Sequence, residues 1–140
     1  MYRTSIEDEL NKNGVLVYTN DGDSMFPLIR KKGDLIVIQK CNRPLKKYDI
    51  PLYKRSSGQY VLHRIVGFDK DNAYVICGDN RYNKEYGITD DNVLGILTSV
   101  IRNGKEIKMD SFLCRLYSHL WCDAFVLRKL VLYIRDAIKK

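Results

Sequence analysis

The stretch GDSMFPLIRKKGDLIVI, residues 22–38, joins a serine in a constrained turn to an apolar run. The run DLIVIQ at 34–39 is almost continuously apolar, which is typical of a strand buried on both faces. Gly22 and Pro27 flank Ser24 and hold its hydroxyl and the adjacent backbone N–H groups in fixed directions. On these residues alone, an ordinary Ser-type turn is the simpler explanation. A chemical role for Ser24 therefore needs support from other segments.

The composition predicts one globular domain with a net charge of +7. The chain has 140 residues, of which 45% are hydrophobic and 29% charged, and this length is too short for two full domains. The positive charge allows an anionic partner, either nucleic acid or a membrane surface, but it also fits a plain basic protein. Because the basic residues are not interleaved with base-stacking aromatic residues, we expect no specific nucleic-acid binding.

Neither a metal nor another cofactor is expected. The four cysteines form no C-x-x-C pair and have no metal-ligand spacing with either histidine. We expect reduced thiols, with Cys77 buried in a strand.

Up to residue 109 the pattern predicts a mainly β protein. A short helix over 4–12, capped by Thr4 or Ser5 and stopped at Gly14, precedes about seven strands. Pro51 demotes its strand to an edge position, and Asn103-Gly104 suits a type I′ hairpin turn. We expect a folded-over sheet or small barrel, with strands at 15–19, 34–39, 49–55, 59–68, 73–78 and on both sides of the turn in 93–109.

The segment 110–140 has a different character and predicts one amphipathic basic helix outside a 1–109 β domain. Eight apolar residues recur at steps of four and three, which places them on one helix face: Leu113, Tyr117, Leu120, Ala124, Leu127, Val131, Ile134 and Ile138. Such a helix, over 112–140, can lie on an anionic membrane. Packing on the β domain, or self-association through the stripe, is a nearly equal alternative.

The amino terminus lacks the apolar core of a secretory signal, and no run of about 18 apolar residues is long enough to span a bilayer. The sequence therefore predicts a cytoplasmic protein or one peripheral at the membrane.

His63 is the candidate general base for Ser24. It lies in YVLHRIVG, where a strand would place Val61, His63 and Ile65 on one face. A histidine with an ordinary pKa near 6.5 is suited to take a proton from a serine. A core histidine with a satisfied hydrogen bond is the alternative.

A third segment, ICGDNR, ends a strand at Gly78. If the sheet folds over, this strand end returns to the serine turn and the histidine. A carboxylate there would orient the imidazole and stabilise its charged form. Asp79, Glu85 and Asp90 are the available acids, and their spacing does not choose among them.

Taken in order, these segments resemble the signal peptidase I superfamily over residues 14–108. GDSMFPLIRKKGDLIVI is similar to its S-M-x-P motif, KKYDIPLYK to its GD-hydrophobic strand, YVLHRIVG to its base-bearing strand, ICGDNR to its G-D-N motif and VLGILTSVIRNGK to its closing hairpin. His63 followed by Arg64 resembles the endoplasmic-reticulum and archaeal branch. Bacterial leader peptidases and the self-cleaving SOS repressors carry a lysine at that position.

The resemblance implies a β-rich peptidase fold without a cofactor. It makes Ser24 the nucleophile and His63 the base, with Asp79 as the G-D-N aspartate and Glu85 as the acid of a triad. Gly22, Met25 and Pro27 match the substrate- and oxyanion-binding motif. Many members have a serine in place of Gly22, so the oxyanion hole here would rest on backbone N–H groups, notably that of Ser24.

The expected function is that of a signal-peptidase-like serine endopeptidase, which cleaves an extended peptide or leader segment through an acyl-enzyme. One alternative is a non-catalytic peptide- or membrane-binding protein on a degenerate peptidase scaffold, which Gly22, Tyr48 and Pro51 favour slightly as departures from the pattern. A self-cleaving SOS-type regulator is a further alternative. The histidine at 63 and the lack of a helix-turn-helix pattern count against it.

Overall fold

The structure, a computed structural model, describes residues 5–139 and confirms a mainly β protein. Nine strands and three α-helices follow one another along the chain, with a short 3₁₀ turn at Asp90–Asn92. The helices are α1 (Ile6–Asn13), α2 (Phe112–Asp123) and α3 (Phe125–Ile138). The strands are β1 (Val15–Thr19), β2 (Asp34–Gln39), β3 (Pro51–Lys54), β4 (Tyr60–Leu62), β5 (Arg64–Phe68), β6 (Tyr74–Cys77), β7 (Glu85–Ile88), β8 (Val93–Arg102) and β9 (Lys105–Lys108).

The strands form two sheets, and the larger one curls around the long strand β8. Its order is β1-β2-β8-β3-β4, with β9 also paired to β8, and all of these pairs are antiparallel. A Cβ at Gly95 would lie 2.7 Å from the Gln39 carbonyl oxygen, so only glycine fits where β8 passes closest to β2. The smaller sheet has the order β5-β6-β7.

Several local predictions are confirmed. Ser5 caps α1 by accepting a hydrogen bond from the Asp8 N–H at 3.0 Å, and Gly14 ends the helix with φ 72°. Asn103 and Gly104 both have positive φ, as a type I′ hairpin requires. Thr4, the other predicted cap, lies outside the described residues.

The prediction that Pro51 marks an edge strand is wrong. Strand β3 lies between β8 and β4 in the larger sheet. Pro51 is its first residue and Ile50 accepts a hydrogen bond from the Leu97 N–H just before it. At the first position of a strand the missing N–H costs little pairing, so proline is tolerated inside the sheet.

The predicted strand over 59–68 is divided in two at His63, and the alternation of Val61, His63 and Ile65 does not run through it. Strand β4 belongs to the larger sheet and β5 to the smaller one, so the chain changes sheets at His63. Strand β7 was not predicted, because the sequence EYGI of Glu85–Ile88 has few residues that favour strands. In the structure, Gly87 in this strand has a left-handed conformation. With these changes, nine strands replace the predicted seven.

The prediction of a single C-terminal helix is also wrong, because Ala124, with φ −94° and ψ 48°, separates α2 from α3. Both helices pack on the β structure through their less apolar side, which includes Cys114, Ser118, Cys122 and Arg128, all buried. No helix among residues 5–139 is long and apolar enough to cross a membrane.

An ion pair between Arg64 and Asp79 lies buried where the two sheets and α2 meet. Arg64 is 2% exposed and Asp79 is 0% exposed, and two guanidinium N–H groups donate to the two carboxylate oxygens at 2.8 Å each. From α2, the Tyr117 hydroxyl donates to the same carboxylate at 2.9 Å and Trp121 Nε1 donates to the Asp79 carbonyl at 2.7 Å. Arg64 in turn donates to Ser118 at 2.5 Å. The pair therefore holds β5, the turn after β6 and α2 together.

Replacing one member of this pair should be costly. Asp79→Asn leaves the Arg64 guanidinium buried without a counter-charge, so we expect the free energy of unfolding to fall by about 3–5 kcal/mol in urea denaturation. Asp71→Asn, in the exposed turn after β5, is the matched control and should change it by less than about 0.5 kcal/mol. The double replacement Arg64→Met with Asp79→Leu should lose less than Asp79→Asn, since it removes both charges. Equal losses for Asp79→Asn and Asp71→Asn would contradict the role given to the pair.

Candidate active site

Ser24 lies in the loop between β1 and β2, and its turn is anchored from inside by Met25. Ser24 is half-buried, while Met25 is 2% exposed and packs in the main core. The Met25 sulfur accepts a weak hydrogen bond from the Asp79 N–H at 3.4 Å. The peptide bond between Phe26 and Pro27 is cis. The SMFP sequence thus places a buried side chain beside the serine rather than an exposed Met-Phe pair.

The turn at residues 78–81, which we call the G-D-N turn, is joined by hydrogen bonds to the loop that carries Ser24, which we call the serine loop. The Asn80 N–H donates to the Ser24 carbonyl oxygen at 2.8 Å, and Asn80 Nδ2 donates to the Asp23 carbonyl oxygen at 2.9 Å. Arg81 forms an exposed ion pair with the Asp23 carboxylate at 2.7 Å. The predicted return of the ICGDNR strand end to the serine turn is confirmed.

Gly78 lies between the serine loop and the histidine. A Cβ built on Gly78 would be 2.7 Å from the Ser24 carbonyl oxygen and 3.2 Å from both Nε2 and Cδ2 of His63. Any side chain at this position would collide with both groups. Because both groups lie within 3.2 Å of this one Cβ position, the Ser24 carbonyl oxygen and the imidazole must lie close to each other. The structure therefore brings Ser24 and His63, 39 positions apart in sequence, to one place.

The serine hydroxyl and the imidazole are not hydrogen-bonded to each other. Among residues 5–139, neither the Ser24 hydroxyl nor the His63 ring has a hydrogen-bond partner. Catalytic hydrogen bonds are often long in the absence of substrate and shorten only in the reacting complex. What the structure shows is that the Ser24 carbonyl oxygen lies close to the imidazole.

His63 is held neutral by its surroundings. Burial lowers its pKa to about 4, the positive charge of Arg55 acts in the same direction, and the negative charge of Glu85 opposes them. The Tyr53 ring meets the imidazole edge-on, with ring centroids 6.5 Å apart. At pH 7 the imidazole is therefore uncharged, and it is a weaker base than the histidine of ordinary pKa that the sequence predicted.

The three candidate acids have different partners. Asp79 is engaged by Arg64 and Tyr117, as described above. Asp90 accepts a hydrogen bond from the Tyr74 hydroxyl. Glu85 accepts one from the Tyr53 hydroxyl at 2.6 Å and two from Arg55 at 2.9 and 3.1 Å.

None of the three carboxylates hydrogen-bonds to His63. Hydrogen bonds from Arg55 hold the pKa of Glu85 below its usual value, so Glu85 is ionised near neutral pH. Among the carboxylates, its charge has the larger effect on the pKa of His63, followed by that of Asp79. Of the three carboxylates, Glu85 thus has the largest electrostatic effect on His63. Its role as triad acid stays a prediction.

The three residues of the oxyanion motif differ in exposure. Gly22 and Pro27 are exposed, whereas Met25 is buried, so its side chain supports the loop from inside. Asn20 Nδ2 donates to the Gly22 carbonyl at 2.7 Å, which restrains the loop entering the site. A Cβ on Gly22 would meet no atom within 4 Å, so the lack of a side chain there is not imposed by packing.

Four residues around the site were not found from sequence. Tyr53 and Arg55 lie on and just after β3, where their alternation gave no sign that they reach Glu85. Arg128 from α3 donates to the Arg81 carbonyl at 2.7 Å and to the Gly78 carbonyl, and Arg135 donates to Asn80 Oδ1. Arg128 lies off the apolar stripe that the sequence shows, so the helical pattern gave no sign of its contacts. Arg128 and Arg135 thus hold the G-D-N turn by hydrogen bonds from the α3 side.

Comparison of the chain with protein-family models, with curated proteins and with solved structures finds no match.

The low pKa of His63 has a measurable consequence for stability. Between about pH 6.5 and 4 the unfolded chain takes up a proton at His63 and the native protein does not, so stability is lost as the pH falls through this window. We expect His63→Gln to flatten the pH dependence of the free energy of unfolding there by about 1–3 kcal/mol. An unchanged slope in His63→Gln would show that His63 titrates normally.

Proposed function

We propose that this protein is a serine endopeptidase of the signal-peptidase type, with Ser24 as nucleophile and His63 as general base. The observation that supports the proposal is that the Ser24 main-chain carbonyl oxygen and the His63 ring both lie within 3.2 Å of the position that a Cβ on Gly78 would occupy. A nucleophile and a base brought together from distant segments are the minimum that acyl transfer requires.

The proposed reaction begins with neutral His63. The imidazole accepts the proton of the Ser24 hydroxyl as the oxygen attacks the peptide carbonyl, and it then passes that proton to the departing amine. This leaves an acyl-Ser24 ester. A water molecule, deprotonated by His63, attacks the ester, releases the carboxylic acid and restores the hydroxyl. The imidazolium that forms in both steps is disfavoured by burial and by the positive charge of Arg55, which the negative charge of Glu85 only partly offsets.

The oxyanion would be bound by backbone N–H groups. The Ser24 N–H donates no hydrogen bond within residues 5–139, so it is available for a developing negative charge. Gly22 offers no side-chain donor. If a second donor is missing, the rate would be about 10²-fold lower than in a site with a hydroxyl at position 22.

The sheet edges support an extended substrate. The two ends of the larger sheet are β1 and β4, and each has a partner strand on only one side. β1 leads into the loop that carries Ser24, and β4 ends at Leu62, next to His63. A peptide can add to such an edge through main-chain hydrogen bonds, which would bring a backbone carbonyl to the serine.

One observation favours the second candidate, a non-catalytic peptide-binding protein on the same scaffold. No carboxylate within residues 5–139 hydrogen-bonds to His63, and burial together with the positive charges of Arg55 and Arg81 disfavours the imidazolium that catalysis needs. The same edges would then bind a peptide without cleaving it.

Labelling with a fluorophosphonate probe separates the two candidates. The wild-type protein should form a covalent adduct on Ser24, identified by peptide mass spectrometry, and Ser24→Ala should form none. Ser56→Ala, at an exposed turn serine, is the matched control and should label like the wild type. His63→Ala should slow labelling at least ~10²-fold because the base is lost.

The peptidase proposal fails if the wild type is not labelled while its thermal transition shows that it is folded. Labelling at equal rates in the wild type and His63→Ala would also contradict the assigned base. In either case, binding of an extended peptide by the unlabelled protein would support the second candidate.

A further inference from the structure

The outward sides of α2 and α3 carry a dense set of exposed large apolar side chains, which we call the outer apolar face. Their exposure reaches 84% at Val126 and 77% at Phe112. A group of eleven exposed large apolar side chains on two neighbouring helices is typical of a surface that binds another protein, a ligand or a membrane. Its members are Phe112, Leu113, Leu116, Leu120, Val126, Leu127, Leu130, Val131, Tyr133, Ile134 and Ile138.

The face cannot be buried by rolling the helices over. Arg128 is 1% exposed and donates to carbonyl oxygens of the G-D-N turn, and Ser118 accepts from Arg64. Rotating either helix to bury its apolar side would break these contacts and expose Leu132, which is 4% exposed. The polar side therefore faces the β structure and the apolar side faces outward, the reverse of an ordinary surface helix.

On α3 the outer apolar face is free of charge. At 100° per residue, the side chains from Tyr133 round to Val131 cover an arc of about 160° that holds only apolar residues. Lys129 lies at its margin, where a lysine can extend its ammonium group away from the apolar surface. This is the pattern of a helix that lies in the plane of a membrane interface.

The charges at the margin select the partner. Both described carboxylates of these helices are paired: Asp123 with Tyr48 at 2.6 Å and Lys47 at 3.3 Å, and Asp136 with Arg135 at 2.7 Å. The exposed charged side chains that remain on the helices are basic: Arg115 and Lys129.

We infer that the outer apolar face binds the surface of a lipid bilayer with anionic head groups. The apolar side chains enter the interface, and the basic side chains at the margin meet lipid phosphates or carboxylates. Joining two copies through the same face would instead place these basic side chains against one another, in a chain of net charge +7.

Membrane binding would attach the protein through the side of α3 opposite to the side that contacts the G-D-N turn. Arg128 and Arg135 reach from α3 to the turn that holds Ser24. The inference does not depend on Ser24 being catalytic, because it rests on α2 and α3 alone.

Vesicle co-sedimentation tests the inference. The full chain should bind vesicles of phosphatidylcholine with one-quarter phosphatidylglycerol at least ~10-fold more tightly than vesicles of phosphatidylcholine alone. Val126→Glu with Leu130→Glu should reduce binding at least ~10-fold. Circular dichroism should show this variant folded, since both positions are exposed.

Charge is tested separately with variants of equal net charge. Arg115→Glu with Lys129→Glu should weaken binding to the anionic vesicles several-fold more than Lys31→Glu with Lys70→Glu, which lie on exposed turns of the β structure. Two results would overturn the inference. One is an absence of binding to anionic vesicles by the wild type. The other is a dimer in sedimentation equilibrium that Val126→Glu with Leu130→Glu dissociates, with no vesicle binding.

Discussion

The buried ion pair between Arg64 and Asp79 is the contact on which the arrangement of the candidate site depends. Arg64 follows His63 directly, and Asp79 follows Gly78 directly. The ion pair therefore fixes the position of His63 relative to Gly78, which lies beside the Ser24 carbonyl. Its cost of desolvation is offset by two parallel hydrogen bonds and by the Tyr117 hydroxyl. The G-D-N aspartate thus acts as a positioning residue. It helps to hold His63 near the loop that carries Ser24 without hydrogen-bonding to the imidazole.

The same pair links the site to the C-terminal helices. Since Tyr117, Trp121 and Arg128 all contact the turn at 78–81, the helices are part of the structure that holds Ser24 in place. Their polar groups are used on the inside, which leaves the large apolar side chains on the outside. An enzyme built in this way would couple its attachment to a surface with the rigidity of its site. The proposed peptidase activity and the inferred bilayer contact use opposite sides of the same two helices.

Local patterns predicted much of the fold. Caps, hairpin residues and apolar runs located α1, β1, β2, β6 and the β8–β9 hairpin, because these signals act over a few residues. The motif order also predicted that the G-D-N turn meets the serine loop. Three features depend on contacts between distant segments: the sheet change at His63, the interior position of β3 and the break at Ala124. The spacing of apolar residues, every two in a strand or every 3.6 in a helix, carries no information about such contacts. The engagement of Glu85 by Tyr53 and Arg55 was hidden for the same reason: it joins side chains about 30 residues apart.

The central claim is that the Ser24 hydroxyl and the His63 imidazole act as one unit. A crystal structure of the protein after reaction with a phosphonate inhibitor tests it most directly. We predict phosphorus bonded to Ser24 Oγ, with His63 Nε2 within about 3 Å of an oxygen of the adduct. An adduct on Ser24 with the imidazole turned towards Tyr53 and out of hydrogen-bonding reach, or an adduct on another residue, would contradict the account.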